Sequence, residues 1–203
     1  GTMPGIKKST KLLDLGANVD CSSEDLLGFA IMGSVLARYT SEIENPTVEL
    51  LNIGMEEIKG NEQIRKTSEI LEGSHINYIG YVEGDDIFKG TVDVIVCDGF
   101  IGNIALKSSE GVANMLSSVA KEEYHKNLIT KMSGFLSLPV LKNLKKRLDP
   151  RRHNGASLLG LKGTVVKSHG SADELSFANA IEVAHYESTR KIPDQIGDLM
   201  GKL

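Results

Sequence analysis

Val92-Asp93-Val94-Ile95-Val96-Cys97-Asp98-Gly99-Phe100-Ile101-Gly102-Asn103 decides the fold. Its first six residues are the most hydrophobic run in the chain and read as a strand. Asp98 to Gly102 turn the chain. From about Gly102 to Tyr124, Ile104, Leu106, Val112, Met115, Leu116 and Val119 recur at helical spacing. A strand feeding a helix directly is a βα unit, and such units in series build a mostly parallel sheet.

Outward from this stretch the alternation repeats. Lys11 to Gly16 is a short apolar run ending in glycine. Ser22 or Ser23 then caps a helix carrying Leu26, Leu27, Ala30, Ile31, Val35 and Leu36. Val48 to Gly54 reads as a second strand, Glu56 and Glu57 as a solvated helix start, and Asn61 to Leu71 as a helix stopped by Gly73. His75 to Val82 is a third strand. Beyond the long helix, residues 126–150 are helical but different in kind. Leu158 to Val166 is expected to hold a fifth short strand, closed by His169-Gly170. Ser171 with Glu174 fits a capping box for a last helix bearing Phe177, Ala180, Ile181 and Ala184. The pattern predicts an α/β fold over residues 1–203, with helices on both faces of the sheet.

Composition narrows the function classes. The 203 residues carry 23 basic and 27 acidic side chains, a net charge of −4, so no global basic field would attract nucleic acid. Two distant cysteines, Cys21 and Cys97, read as reduced thiols of a cytoplasmic protein. No apolar run approaches the roughly 20 residues that span a bilayer. Gly1 to Gly5 lacks the charged and apolar regions of a signal peptide and reads as a loop.

Ligands of open parallel sheets bind outside the carboxyl ends of the strands. Four such ends carry polar clusters with glycine: Gly16-Ala17-Asn18; Asn52-Ile53-Gly54 with Lys59-Gly60-Asn61; Asp98 to Asn103 with Lys107; and His169-Gly170. In the third, a Gly-x-x-Gly turn leads into a helix N-terminus, where free N–H groups and a positive dipole end suit an anion. Asn103 and Lys107 lie four apart on one face of that helix. A phosphate or a thioester oxyanion fits the combination. Each end also reads as plain turn chemistry: Asp98 satisfying loop N–H groups, Lys107 solvated, His169 a turn residue. The convergence of four ends on one edge carries the functional reading. Nucleotide fingerprints, a Gly-x-Ser-x-Gly elbow and Cys/His pairs with metal-ligand spacing are all absent from the sequence.

Taken in order, several stretches resemble the PlsX family of bacterial acyl-ACP:phosphate acyltransferases. They are Leu12 to Asp20, Leu51 to Gly54 through Lys59-Gly60-Asn61-Glu62, Asn77 to Gly84, Val96 to Asn103 through Lys107 to Glu110-Gly111, Leu148-Asp149-Pro150, Gly155 to Leu161, and His169-Gly170. The resemblance covers most of residues 11–185. It implies a three-layer, Rossmann-like fold similar to isopropylmalate dehydrogenase, of which this chain is the C-terminal portion. It also implies a homodimer that transfers a fatty acyl group from acyl carrier protein to inorganic phosphate, with no metal and no cofactor. Phosphate is itself the nucleophile, so the site must hold a dianion, stabilise the tetrahedral oxyanion and assist thiolate departure. Asn103, Lys107 and His169 are the candidate catalytic residues, His169 because an imidazole exchanges protons near neutrality. Asn18, Asn52, Gly54, Lys59, Asp98, Gly99, Gly102 and Gly170 are the candidate phosphate and substrate contacts. Cys97 ends an apolar strand and reads as a small buried hydrophobe rather than a nucleophile.

Two other classes remain open. A nicotinamide-dependent decarboxylating dehydrogenase would share the fold. It would need carboxylates for a divalent metal, of which only Asp93 and Asp98 lie on this strand, and an arginine cluster. A catalytically inactive module could dimerise and bind a membrane or acyl carrier protein.

Residues 131–152 stand apart, with seven basic side chains and one acid in an acidic chain. Pro139 is expected to break the helix there into a hairpin within about 126–150. Phe135, Leu136, Leu138 and Val140 form an apolar tip beside Lys145 and Lys146. Such a tip suits peripheral contact with an anionic membrane, on the inner face of the cell membrane. The same features also fit a dimer interface with a solvated basic rim.

Overall fold

The computed structural model describes residues 1–56 and 58–201, apart from the side chains of residues 145, 147, 148, 150 and 153. It divides into two compact units, Gly1–Asn103 with Arg151–Leu203, and Ile104–Pro150.

The first unit holds a five-stranded sheet in the order β1-β2-β5-β3-β4. Its strands are β1 (Thr2–Met3), β2 (Thr10–Leu13), β3 (Val48–Leu51), β4 (Tyr78–Val82) and β5 (Val94–Val96). All pairs are parallel except β1 with β2. This is the three-layer, Rossmann-like α/β class expected. The crossovers place β5 in the middle, in register with Leu13 of β2 and Leu50 of β3 through Val96. All three residues of β5 are buried, which explains its unbroken apolar sequence.

Two helices cover the sheet: α1 (Ser23–Ser41) packs on β2 and β5, and α2 (Glu62–Glu72) on β4. Leu26, Phe29 and Ala37 of α1 and Ile64 and Leu71 of α2 close over Leu13, Val48, Leu50, Val94 and Val96. Each fully buried leucine among them is worth about 2 kcal/mol. The helix starts are fixed by sequence. Ser22 and Asp25 form a reciprocal capping box for α1, and Asn61 accepts the Ile64 N–H of α2 at 2.9 Å. At the opposite edge of the strands, the Asp93 carboxylate accepts the Lys8 ammonium together with the N–H (2.9 Å) and hydroxyl (2.8 Å) of Thr47. Burial pushes this carboxyl up, and the Lys8 and Thr47 donors more than offset it, so it stays below the usual range.

The structure corrects several sequence expectations. Leu158 to Val166 is not a strand of the sheet. β6 (Ala156–Ser157) and β7 (Val166–Lys167) form a separate antiparallel ladder, and Gly160 at φ +82° turns the segment between them. The last helix, α5 (Glu174–Thr189), is capped by Asp173, whose carboxylate accepts the Ser176 N–H at 2.9 Å, rather than by Ser171. A carboxylate at the positive helix end is the better cap. Glu56 lies in a loop and starts no helix, and Glu57 falls outside the described residues. A helix not anticipated, α6 (Ile192–Met200), buries Ile192 and Ile196 against Val35 and Leu36 of α1.

In the second unit, α3 (Gly99–His125) enters from the first and α4 (Leu128–Leu148) follows. Pro139 sits inside α4 and does not break it. Proline removes one backbone donor and crowds one carbonyl, a cost of about 3 kcal/mol that the remaining bonds of a long helix can carry. The hairpin is therefore made by α3 and α4 together. Asn127 and Thr130 cap α4 reciprocally, and a Cβ on Gly134 would come within 2.9 Å of the Tyr124 ring. No described helix is long and apolar enough to cross a membrane.

Candidate functional site

The ends of β2 and β5 are joined main chain to main chain. The Cys97 N–H donates to the Leu13 carbonyl at 2.6 Å, and the Asp14 N–H donates to the Cys97 carbonyl at 2.8 Å. β5 then turns into α3 with no room for side chains. A Cβ on Gly102 would stand 1.7 Å from the Asp14 carbonyl oxygen, and one on Gly99 would stand 2.5 Å from that of Asn18. Gly99 and Gly102 therefore let two backbones touch.

The expected anion site at the start of α3 is largely occupied by the protein itself. The Gly99 N–H donates to the Asn18 carbonyl at 2.8 Å, and the Ile101 N–H donates to the Asp98 carboxylate at 2.7 Å. Asp98 is thus the helix cap, with its charge at the positive helix end. An incoming phosphate would meet this carboxylate, so cationic side chains must supply attraction here.

Asn103 is exposed one turn along, with its Cβ 3.3 Å from where a Cβ on Gly16 would be. Gly16 has φ +112°, a conformation open to glycine. Asn18, Gly99, Gly102 and Asn103 are accordingly brought together. The residue organising them is Asp14, which received no role in the sequence analysis. Its carboxylate accepts the N–H groups of Gly16 (2.8 Å), Ala17 (2.9 Å) and Asn18 (2.8 Å), and the Asn18 side-chain amide (2.9 Å). Burial raises its pKa, and the donors from Ala17, Asn18 and Gly16 outweigh burial and hold it below the carboxylate norm. An acid followed two residues later by glycine is the available sequence signal.

A second cluster forms after β3. Buried Asn52 donates its amide to the carbonyls of Gly54 (3.0 Å) and Lys59 (3.3 Å), closing the loop between them. Gly60, at φ +94°, lies against the Asn52 amide oxygen. Asn52 is spent on this loop, while the exposed Lys59 ammonium pairs with Glu56 at 2.9 Å, which raises its pKa. Lys107 pairs with Glu110 at 2.8 Å within the second unit.

His169 follows β7 and so does not end a strand of the main sheet. Its N–H donates to the Asn154 amide oxygen at 2.9 Å and its Nδ1 lies 2.8 Å from the Ser171 hydroxyl. Around Gly170 a Cβ would meet open space. Cys97 is buried, and burial pushes its thiol up to about 12, which leaves no thiolate for nucleophilic attack. Among the described residues no group of three His, Cys, Asp or Glu side chains could hold a metal ion.

A family model described as "Fatty acid synthesis protein" matches residues 1–193. The chain belongs to this family. Its similarity to named relatives is high throughout. A phosphate acyltransferase of Methylococcus capsulatus is 56% identical over 198 residues, 98% of this chain and 58% of the relative. One of Halorhodospira halophila is 52% identical over 203 residues, 100% of this chain and 59% of the relative. The chain thus spans somewhat over half the length of these curated relatives. Membership in the fatty acid synthesis family bears out the resemblance read from the strand-end motifs, all of which lie inside the matched region.

Proposed function

We propose that this chain supplies one edge of a phosphate acyltransferase site that moves a fatty acyl group from acyl carrier protein to inorganic phosphate. The observation that carries this is the similarity, over essentially the whole chain, to proteins named phosphate acyltransferase. The strand-end edge supports it chemically. A phosphate oxygen attacks the thioester carbonyl, forming the new C–O bond. The tetrahedral oxyanion then collapses, the C–S bond breaks, and the thiolate leaves as a thiol after gaining a proton. In this reading Asn103 and Lys107 hold the phosphate or the oxyanion, with Lys59 and Asn18 as further contacts. His169 delivers the proton to sulfur. Gly99 and Gly102 act by close packing, Asn52, Gly54 and Asp98 by shaping the two loops, and Gly170 by leaving His169 clear.

The test is acyl-phosphate formation from acyl-ACP and phosphate by the full-length protein. Lys107→Ala should raise the KM for phosphate about tenfold without moving the thermal midpoint. A parent protein that forms no acyl-phosphate would sink the reading.

A second reading concerns α4 and is compatible with the first. Leu128, Ile129, Met132, Phe135, Leu136 and Val140 each expose 69% or more of their surface. Leu128, Met132, Phe135 and Leu136 line a shallow apolar hollow with Lys131. Leu138 is less exposed, Lys146 is exposed, and the Lys145 side chain falls outside the described residues. We propose that this helix meets an anionic membrane surface and that the protein works as a homodimer at the inner face of the cell membrane. Each lysine near such a surface adds about 1 kcal/mol. Co-sedimentation with anionic liposomes at low salt should be strong for the parent and weak for Leu136→Glu and for Lys142→Glu/Lys146→Glu. Binding that is indifferent to both variants removes the membrane role. Sedimentation as a monomer at micromolar concentration removes the dimer.

A further inference from the structure

We propose that Asp14 is a positioning residue for the acyl-transfer site, acting through the 16–18 loop on Asn103 and Asn18. This rests on the functional reading above, in which those two amides contact substrate. Asp14 sits where the β2 and β5 ends meet. Its main chain is locked into the β5–α3 junction: the N–H donates to the Cys97 carbonyl at 2.8 Å, and the carbonyl faces the Gly102 Cα and the Cys97 thiol (3.5 Å). Its side chain reaches into the 16–18 loop. One oxygen takes the Gly16 and Ala17 N–H groups, and the other takes the backbone and side-chain N–H groups of Asn18.

Two consequences follow for the amides. A carboxylate offers about four acceptor positions, and all four are used. Asp14 therefore has no capacity left to act as a base or to touch a ligand. Its whole effect is on shape. Gly16, pinned by the first oxygen, forms the bed on which Asn103 rests. Asn18, pinned by the second, has one side-chain N–H committed, which fixes the amide plane and leaves the side-chain oxygen Oδ1 and the second side-chain N–H for a ligand.

A simple turn brace would make the same bonds, so the test must read something a brace leaves unmoved. In the full-length protein, Asp14→Asn keeps the shape but replaces one oxygen with an NH2 group that faces N–H donors. The expected result is a phosphate KM raised about tenfold with kcat changed less than about threefold. In a double-mutant cycle, Asn103→Ala should cost about fivefold less in the Asp14→Asn background than in the parent. Should Asp14→Asn fail to fold, Asp14→Ser, whose hydroxyl oxygen can still accept from the loop N–H groups, must show the same coupling to Asn103. Additive effects in the cycle, or a change confined to the thermal midpoint, overturn the proposal. A parent that forms no acyl-phosphate overturns the functional reading first, before any variant is compared.

Discussion

At the start of α3, Gly99 and Gly102 are buried against the main chain of Asn18 and Asp14. Further along the same helix, Val112, Met115, Leu116 and Val119 each expose at least 50% of their surface. One helix thus begins where no side chain fits and continues with apolar side chains that are exposed. At the first place the fold is specified by missing atoms, because backbone meets backbone. At the second, apolar surface is exposed, the kind of surface that the proposed membrane or partner contact would cover. Substitutions should therefore be costly at the junction and cheap, or even favourable, along the outer helix.

The largest expected effect is at Gly102. Gly102→Ala places a carbon 1.7 Å from the Asp14 carbonyl oxygen, and neither backbone can yield. The cost should be on the order of 3 kcal/mol or more, read as a fall in the urea midpoint or a failure to fold. A loss under about 1 kcal/mol would break the contrast. Next comes Asp93→Ala at the other end of the strands. It leaves Lys8 and the Thr47 N–H and hydroxyl without their acceptor, at about 2 kcal/mol. Because the folded pKa of Asp93 is lowered, the parent's advantage is present above the unfolded carboxylate range and is lost as pH falls through the folded value. Comparing urea midpoints of the two proteins across acidic pH tests that sign.

A smaller effect belongs to Glu49 on β3, opposite Ile95 in the ladder. Burial, with help from Asp86, raises its pKa from 4.5 to about 7. The folded state then binds the proton more tightly than the unfolded state, so stability falls as pH rises from 4.5 through 7. Glu49→Gln should be the more stable protein at pH 8 by about 1 kcal/mol after allowance for solvent screening, and equal to the parent near pH 4. The smallest effect is the sharpest control. At Gly111, on the outer part of α3, an added Cβ meets nothing within 4 Å. Gly111→Ala should stabilise the helix by about 0.5–1 kcal/mol, seen as a small rise in thermal midpoint.

The contrast also marks what could be read from the sequence. The starts of α1 at Ser22 and of α2 at Asn61 were legible from residues that favour caps, whereas at α5 the equally local Asp173 was passed over for Ser171 because two candidate caps lie close together. The β5–α3 unit was legible from its apolar run and its glycines. Asp98 accepts the Ile101 N–H, the kind of bond its plain turn-chemistry reading describes, so that N–H is not free for a ligand. Asp14 was not legible as an organiser, since an acid after an apolar run looks the same whether it binds one donor or four. Leu158 to Val166 misled because isolated apolar residues mimic a strand while the glycine turn between them governs the path. α6 escaped notice because its two buried isoleucines declare themselves only against α1. Pro139 shows that a helix breaker is a local cost, which a long and well-capped helix can absorb.

Cys97 ends β5 with its sulfur enclosed between the Asp14 carbonyl and Gly102. A maleimide or iodoacetamide in solution cannot reach it while that junction is closed, whereas half-buried Cys21 remains within reach. At reagent concentrations where labelling outpaces reclosing, the rate at which Cys97 becomes labelled is the rate at which the strand and helix part. The molecule carries its own clock for the opening of the segment on which the proposed chemistry depends.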